Sequence, residues 1–199
     1  YCLSLLLIKA NSQTQLAQVF HGCGGATVVA YPSDPTWTSI TYMFQRFEGS
    51  SWGTVHTNTN NWHLVSTGDI TVATNYRVIL RNNVTMEERT SNGVTVNPAL
   101  FPNTILPRVP EVTMYWGREN TNGLNYAEIL PFAFNANSRP PYTFEYKKTT
   151  DPTWQSRIAT TGIFVSPLDA NAQYQFRVTD ICGQSSLVLS YELVSQATA

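Results

Sequence analysis

Two segments of the chain repeat one pattern: Ile70-Thr-Val72-Ala-Thr74-Asn-Tyr76-Arg-Val78-Ile-Leu80 and Leu168-Asp-Ala170-Asn-Ala172-Gln-Tyr174-Gln-Phe176-Arg-Val178. Each places a tyrosine after a short loop and then alternates apolar with polar side chains, the period-two signature of a half-buried β-strand. Tyr76 and Tyr174 are 98 residues apart. Because the same strand recurs at that distance, the chain is predicted to contain two similar β units.

A second landmark supports this spacing: Phe44 precedes Tyr76 by 32 residues, and Tyr142 precedes Tyr174 by 32. Apolar runs alternate with turn clusters every 8 to 12 residues or so, which is typical of β-sandwiches. We therefore predict an all-β chain of two tandem antiparallel β-sandwich domains. The predicted strands are Leu16–Phe20, Ala26–Tyr31, Ile40–Phe47, Trp62–Ser66, Tyr76–Leu80, Val94–Val96, Val112–Trp116, Ala127–Phe134, Tyr142–Lys147, Gly162–Val165, Tyr174–Val178 and Leu187–Leu193.

Prolines and other turn-forming residues mark the predicted domain boundaries. Prolines flank a short apolar pair in Asn97-Pro-Ala-Leu-Phe-Pro-Asn103, which predicts a linker at 98–105 between a first sandwich at 13–97 and a second at 106–199. Residues 1–12 are predicted to be a signal-peptide remnant, because an apolar run there precedes small residues. The alternative for this segment is a buried N-terminal strand.

Composition excludes several classes of function. Apolar residues make up 42% of the chain and charged residues only 13%, and 12 basic against 13 acidic residues leave a net charge of −1. This balance provides no field that attracts phosphate backbones or anionic lipid, so we expect no nucleic-acid partner. A transmembrane helix needs about 20 consecutive apolar residues, and no membrane span is predicted.

No catalytic site, metal site or cofactor is predicted. His21, His56 and His63 fall on or beside different predicted strands, and no nucleophile or phosphate-loop motif accompanies them. The pair His21 and Cys23 offers two ligands, which is too few for a structural metal. We therefore expect a protein that is not an enzyme.

The segment from Leu168 to Val178 resembles the E–F corner of the immunoglobulin-like and fibronectin type III-like superfamily, in which a tyrosine hydroxyl folds back onto the preceding loop. The resemblance implies that Tyr76 and Tyr174 are structural corner tyrosines. A narrower likeness is to tandem repeats of large secreted bacterial surface proteins of the gliding-motility and type 9 secretion kind. It is carried by Pro141-Tyr-Thr-Phe144 and by the segment from Tyr174 to Gly183, and it implies a secreted or cell-surface location.

The cysteines add an expectation about the domain junction. The offset of 98 residues aligns Cys182 with Val84 and Cys23 with Thr121, so neither sandwich can close a disulfide of its own. In sandwiches of the resembled type, the loop after the first strand and the loop after strand F meet at the junction, and these loops carry Cys23 and Cys182. We predict a Cys23–Cys182 disulfide in an oxidising compartment; the alternative is two free, half-buried thiols.

The predicted function is that of a non-enzymatic secreted or cell-surface module for interaction, adhesion and spacing, at the N-terminal part of a longer multidomain protein. A protein or glycan ligand is expected at loop tips such as 57–61 and 120–125. Trp37 lies in a polar turn at 33–39 and is the candidate aromatic for stacking on a sugar. The alternatives are a glycan-binding module and the accessory domains of a larger secreted enzyme.

Overall fold

The computed structural model describes residues 15–101, 111–118, 125–132 and 138–192. The predicted signal-peptide remnant at 1–12 and residues 102–105 of the predicted linker lie outside these ranges. Within them, the only helical element is a short 3-10 turn, Pro98–Leu100, and the remaining regular structure is β-strand. The predicted all-β class is confirmed.

The first sandwich contains eight strands in two sheets. One sheet has the order β1-β2-β5, and the other has the order β4-β3-β6-β7 with β8 also paired to β6. All these neighbours are antiparallel. The strands are β1 Leu16–Gly22, β2 Gly25–Tyr31, β3 Ile40–Glu48, β4 Ser51–Asn58, β5 Trp62–Ser66, β6 Thr74–Asn82, β7 Glu88–Thr90 and β8 Val94–Val96.

The second sandwich repeats this plan, with seven strands among its described residues. Its sheets have the orders β13-β10-β9 and β12-β11-β14-β15, again antiparallel. The strands are β9 Glu111–Arg118, β10 Asn125–Phe132, β11 Tyr142–Lys148, β12 Gln155–Ala159, β13 Ile163–Leu168, β14 Gln173–Thr179 and β15 Leu189–Glu192.

Each sandwich has its own hydrophobic core. Alternate residues of the central strands point inward, so Tyr76 and Val78 of β6 are buried while Arg77 between them lies on the outer face. Phe44 fills the first core and Phe176 the second, both fully buried. The two separate cores confirm the prediction of two tandem sandwiches.

Phe101 lies within the predicted linker and packs into the first core. It is fully buried in the first core, and its carbonyl accepts a hydrogen bond from the Gly24 N–H at 3.0 Å. The Asn97 side chain caps the preceding 3-10 turn by accepting from the Ala99 N–H, which turns the chain back toward the core. Phe101 is therefore a core residue of the first sandwich, and the predicted bounds of the two domains and the linker stay a prediction.

The predicted equivalence of Phe44 and Tyr142 is wrong. Phe44 lies opposite Val78, two residues beyond the first corner tyrosine. The matching place in the second sandwich belongs to Tyr146, which lies opposite Phe176. A shift of four residues keeps a side chain on the same face of a strand, and both second-sandwich tyrosines are buried. Spacing alone cannot separate the two alignments.

Both predicted corner tyrosines are connected to the loop that precedes their strand, one directly and one through another side chain. The Tyr174 hydroxyl accepts a hydrogen bond from the Asp169 N–H at 3.0 Å. The Tyr76 hydroxyl bonds instead to the Arg46 guanidinium, whose Nη1 donates to the Asp69 carbonyl at 2.9 Å. The tyrosine is thus linked to its loop directly in the second sandwich and through an arginine in the first.

Replacing Tyr174 with phenylalanine removes one hydroxyl and leaves the Asp169 N–H without this acceptor. We expect Tyr174→Phe to lower the free energy of unfolding by about 1 kcal/mol in urea denaturation. Tyr191→Phe, at a more exposed tyrosine on β15, is the matched control and should change it little. Equal effects of the two substitutions would contradict a corner role for Tyr174.

Candidate functional site at the domain junction

The turn between β1 and β2 carries Cys23. Gly24 in this turn has a φ of +80°, and Cys23 itself has a φ of +39°. Glycine adopts such left-handed backbone conformations without the steric cost that a Cβ imposes. Gly25 is required for space, because a Cβ there would lie 2.5 Å from the Val65 carbonyl oxygen and 3.3 Å from Nη1 of Arg139. The tight turn therefore lets the second domain approach the first closely.

Cys182 lies in the loop between β14 and β15, and this loop is held by Asp180. The Asp180 carboxylate accepts from the Gln184 N–H at 2.9 Å and from the Arg139 N–H at 3.3 Å. Cys182 and Cys23 are joined by a disulfide bond, with their Cα atoms 5.8 Å apart and 159 residues between them in sequence. The bond links the β1–β2 turn of one sandwich to the β14–β15 loop of the other.

The Arg139 side chain crosses the same junction and is only 6% exposed. Its Nε donates to Thr27 Oγ1 at 2.9 Å, and its Nη1 donates to the Gly22 carbonyl. Burial lowers the pKa of Arg139, and the nearby Asp180 carboxylate opposes that effect. An arginine stays charged in proteins, so these acceptors compensate a buried cation.

Two further polar contacts complete the junction. Thr27 Oγ1 donates to the Pro140 carbonyl at 2.6 Å. Asn61 Nδ2 donates to the Ala30 carbonyl at 3.1 Å and to Thr160 Oγ1 at 2.9 Å. Asn61 was expected at a loop tip that contacts ligand, but its amide bridges the two sandwiches. The other predicted tip, at 120–125, lies outside the described residues except for its last position.

His21 lies beside this junction and uses its Nε2 in a contact within the first sandwich. Its Nε2 accepts a hydrogen bond from the Asn97 N–H at 3.0 Å. Burial, followed by the charge of Arg139, lowers the pKa of His21 and favours the neutral ring. Across the described ranges, no cluster of three or more His, Cys, Asp or Glu side chains could hold a metal ion.

The prediction that Trp37 is exposed is wrong. Trp37 is 8% exposed and belongs to the first core. The guanidinium of Arg89 lies 4.4 Å from the centroid of its ring and pairs with Asp34 at 3.2 Å. Asp34 also accepts from the Thr36 N–H and hydroxyl, which hold its pKa below the usual value more strongly than Arg89 does. The turn is polar, but it folds over the end of the core, so the tryptophan cannot stack on a sugar.

A histidine pair closes the open side of the first sandwich between β4 and β5. The rings of His56 and His63 stack with centroids 5.0 Å apart, and His63 also packs against Phe44 at 5.5 Å. Burial, and then the neighbouring His56, lower the pKa of His63 to about 4, while Asp69 acts in the opposite direction. His63 therefore packs against the first core as a ring that favours the neutral form.

The two sheet orders, together with a tyrosine on the matching strand of each half, are typical of an immunoglobulin-like or fibronectin type III-like β-sandwich. Both halves have a fibronectin type III-like fold. No family model and no curated protein matches the chain. In the part of the chain that the structure describes, no helix is long and apolar enough to cross a membrane.

Three solved structures illustrate what the chain is similar to. A cytokine receptor complex has 15% identity, with a TM-score of 0.37 over 91% of this chain and 98% of that one. The chicken CNTN1 FN1-FN3 domains have 14% identity and a TM-score of 0.36, and the match covers 90% of this chain and 67% of that one. A two-domain fibronectin type III segment of chicken tenascin has 11% identity and a TM-score of 0.35 over 91% and 99%. The fold assignment rests on the strand orders and the two cores, not on these likenesses.

Substituting alanine at Gly25 places a methyl group against the Val65 carbonyl and the Arg139 guanidinium. We expect Gly25→Ala to lower the free energy of unfolding by about 1–3 kcal/mol, since overpacking displaces rigid backbone. Gly68→Ala is the control, because its Cβ would meet only Ser66 Oγ at 3.8 Å. If chemical denaturation shows no difference between the two variants, the close approach at Gly25 is not a constraint.

The depressed pKa of His63 predicts a pH dependence of stability. The folded state favours neutral His63 down to about pH 4, whereas an unfolded histidine binds its proton near pH 6.5. The unfolded state thus holds more protons in this window, and stability falls as pH falls from about 6.5 to about 4. After allowance for partial exposure, we expect a loss of about 1–2 kcal/mol from this residue.

Urea denaturation at several pH values should show a smaller loss in His63→Leu than in the unmodified chain. The ring of His63 can also be followed directly by NMR. A titration of His63 near pH 6.5 in the folded chain, or equal pH profiles for the two proteins, would contradict the prediction.

Proposed function

We propose that the chain is a non-enzymatic module for interaction and spacing, in which two fibronectin type III-like sandwiches act as one rigid unit. The observation that carries this proposal is the junction, where a disulfide and a buried arginine connect the same two surfaces. A flexible linker allows a range of domain orientations. The acceptors of Arg139, in contrast, converge in one orientation only.

Secretion or display at the cell surface is part of the proposal. Disulfides persist in oxidising environments and are rare in the cytosol, and the Cys23–Cys182 bond supports such a location. The finer assignment is the N-terminal part of a long adhesion protein of the gliding-motility and type 9 secretion kind. Its ligand would be a protein or a glycan at the cell surface.

The rival assignment is an accessory region of a larger secreted enzyme. The coding sequence beyond Ala199 distinguishes the two. Further sandwich repeats there support the adhesion module, whereas a catalytic domain supports the accessory role.

Rigidity can be measured with residual dipolar couplings, because two domains that move as one body share one alignment tensor. We expect one tensor for both sandwiches in the oxidised chain and two different tensors in the Cys23→Ser/Cys182→Ser double variant. Loss of the bond should also lower the free energy of unfolding, by up to about 5 kcal/mol for a crosslink of this length.

Arg139 is tested separately with the disulfide intact. Arg139→Gln leaves the Gly22 carbonyl without its charged donor, and we expect a loss of about 2 kcal/mol with divergence of the two tensors. Arg81→Gln, at an arginine paired with Glu88 on the surface of the first sandwich, is the control and should preserve the single tensor. Two different tensors in the unmodified oxidised chain would overturn the proposal.

A further inference from the structure

The two sandwiches differ at the open side between their sheets. In the first, His56 and His63 stack and close the space between β4 and β5. In the second, the core-facing side of β12 carries Gln155 and Arg157, opposite two core aromatics of β11. These side chains leave a cleft of about 410 Å³ between β12 and β13. The same edge of the fold is thus filled in one domain and open in the other.

The cleft combines an apolar floor with a polar rim. Val165, Leu168 and Tyr174 are buried at its base. The rim carries three basic and two acidic side chains, so an anion is favoured there over a cation. The rim residues are Lys147, Lys148, Asp151, Gln155, Arg157 and Asp169. Small-molecule sites of roughly this volume, with a few convergent polar groups above an apolar surface, are typical of proteins.

Contacts within the protein already position the two central cations. Arg157 Nη1 donates to the Phe164 carbonyl at 3.0 Å, which holds the guanidinium across from β12 to β13. Lys148 pairs with the Asp169 carboxylate, and Asp169 is itself bound through its N–H to the Tyr174 hydroxyl. A guanidinium has five N–H groups and an ammonium has three. Each cation therefore retains donors for a ligand.

We propose that this cleft binds a sugar acid. The carboxylate of the ligand pairs with Arg157 and Lys148, because an arginine fork matches a carboxylate in geometry and charge. The hydroxyl groups bond to Asp151 and Gln155 on the rim, and the apolar face of the ring packs on the floor at Val165. The ligand is either a free monosaccharide acid or one residue of an acidic polysaccharide, which share this chemistry.

The site lies within the second sandwich and does not depend on the proposed rigidity of the two domains. We expect D-glucuronate, added to the isotopically labelled full chain, to shift the backbone amides of 155–157 and 165–169 in NMR spectra. Glucose, which lacks the carboxylate, and acetate, which lacks the ring and hydroxyls, should each bind at least ten-fold more weakly. Binding should weaken as salt is added, because salt screens the charge pairs at the exposed rim.

Variants assign the binding to the cleft. Arg157→Gln should weaken glucuronate at least ten-fold, and Gln155→Trp, at an exposed rim position, should block the entrance. Arg81→Gln on the first sandwich is the matched arginine control and should bind glucuronate normally. Thermal melting checks that each variant is folded, and Gln155→Trp tests the entrance separately from the charge because Gln155 is exposed.

An oligoglucuronate distinguishes the two sources of the ligand. Tighter binding of the oligosaccharide identifies a polysaccharide, and equal or weaker binding identifies the free acid; both results support the proposal. It is overturned if no amide of the cleft shifts, if glucose binds as well as glucuronate, or if the shifts persist unchanged in Arg157→Gln. Binding of a polyglutamate peptide at the cleft, without binding of sugar acids, also overturns it.

Discussion

The buried guanidinium of Arg139 is the interaction on which the arrangement of the two sandwiches depends. Removing a cation from water costs several kcal/mol unless hydrogen bonds and charges replace the lost solvation. The replacements come from both domains: the Gly22 carbonyl and Thr27 hydroxyl from the first, and the Asp180 carboxylate from the second. Rotating one sandwich away would separate the cation from the two acceptors that the first domain supplies. The charge therefore defines the orientation, and the disulfide keeps the two surfaces at high local concentration.

The sequence predicts the strands that build the cores and misses three strands at the sheet edges. Strands β6 and β14 are evident because aromatic and branched side chains alternate with polar ones along them. Strands β4, β7 and β12 carry mainly polar, exposed side chains, so no apolar period marks them. Their pairing is specified by the neighbouring strand, which sequence periodicity does not report. The four-residue error in aligning β3 with β11 has a related cause, since an even shift leaves the buried face unchanged.

The junction could be predicted only in part. Topology places the two cysteine-bearing loops at the same pole, and that inference needs only the strand order. The contact between Arg139 and Thr27 could not be predicted, because 112 residues separate them and neither lies in a recognisable motif. At Trp37, the neighbouring residues in the sequence led to a wrong prediction of its exposure. Its polar neighbours indicate exposure, but the partner that covers its ring, Arg89, lies on a distant hairpin.

On the outer face of each sandwich, an arginine lies over a tryptophan ring. The repeated tyrosine pattern does not predict this arrangement. Arg77 lies over Trp52 at 4.4 Å and bonds to Gln45, and Arg177 lies over Trp154 at 4.5 Å and pairs with a carboxylate on the opposite strand. A guanidinium over an indole face shields the ring from water and remains partly hydrated itself. The chain thus covers these large aromatics on both outer faces while keeping its net charge near zero. These outer faces are built alike, whereas the open sides differ: histidine rings stack at one, and charged side chains line the other.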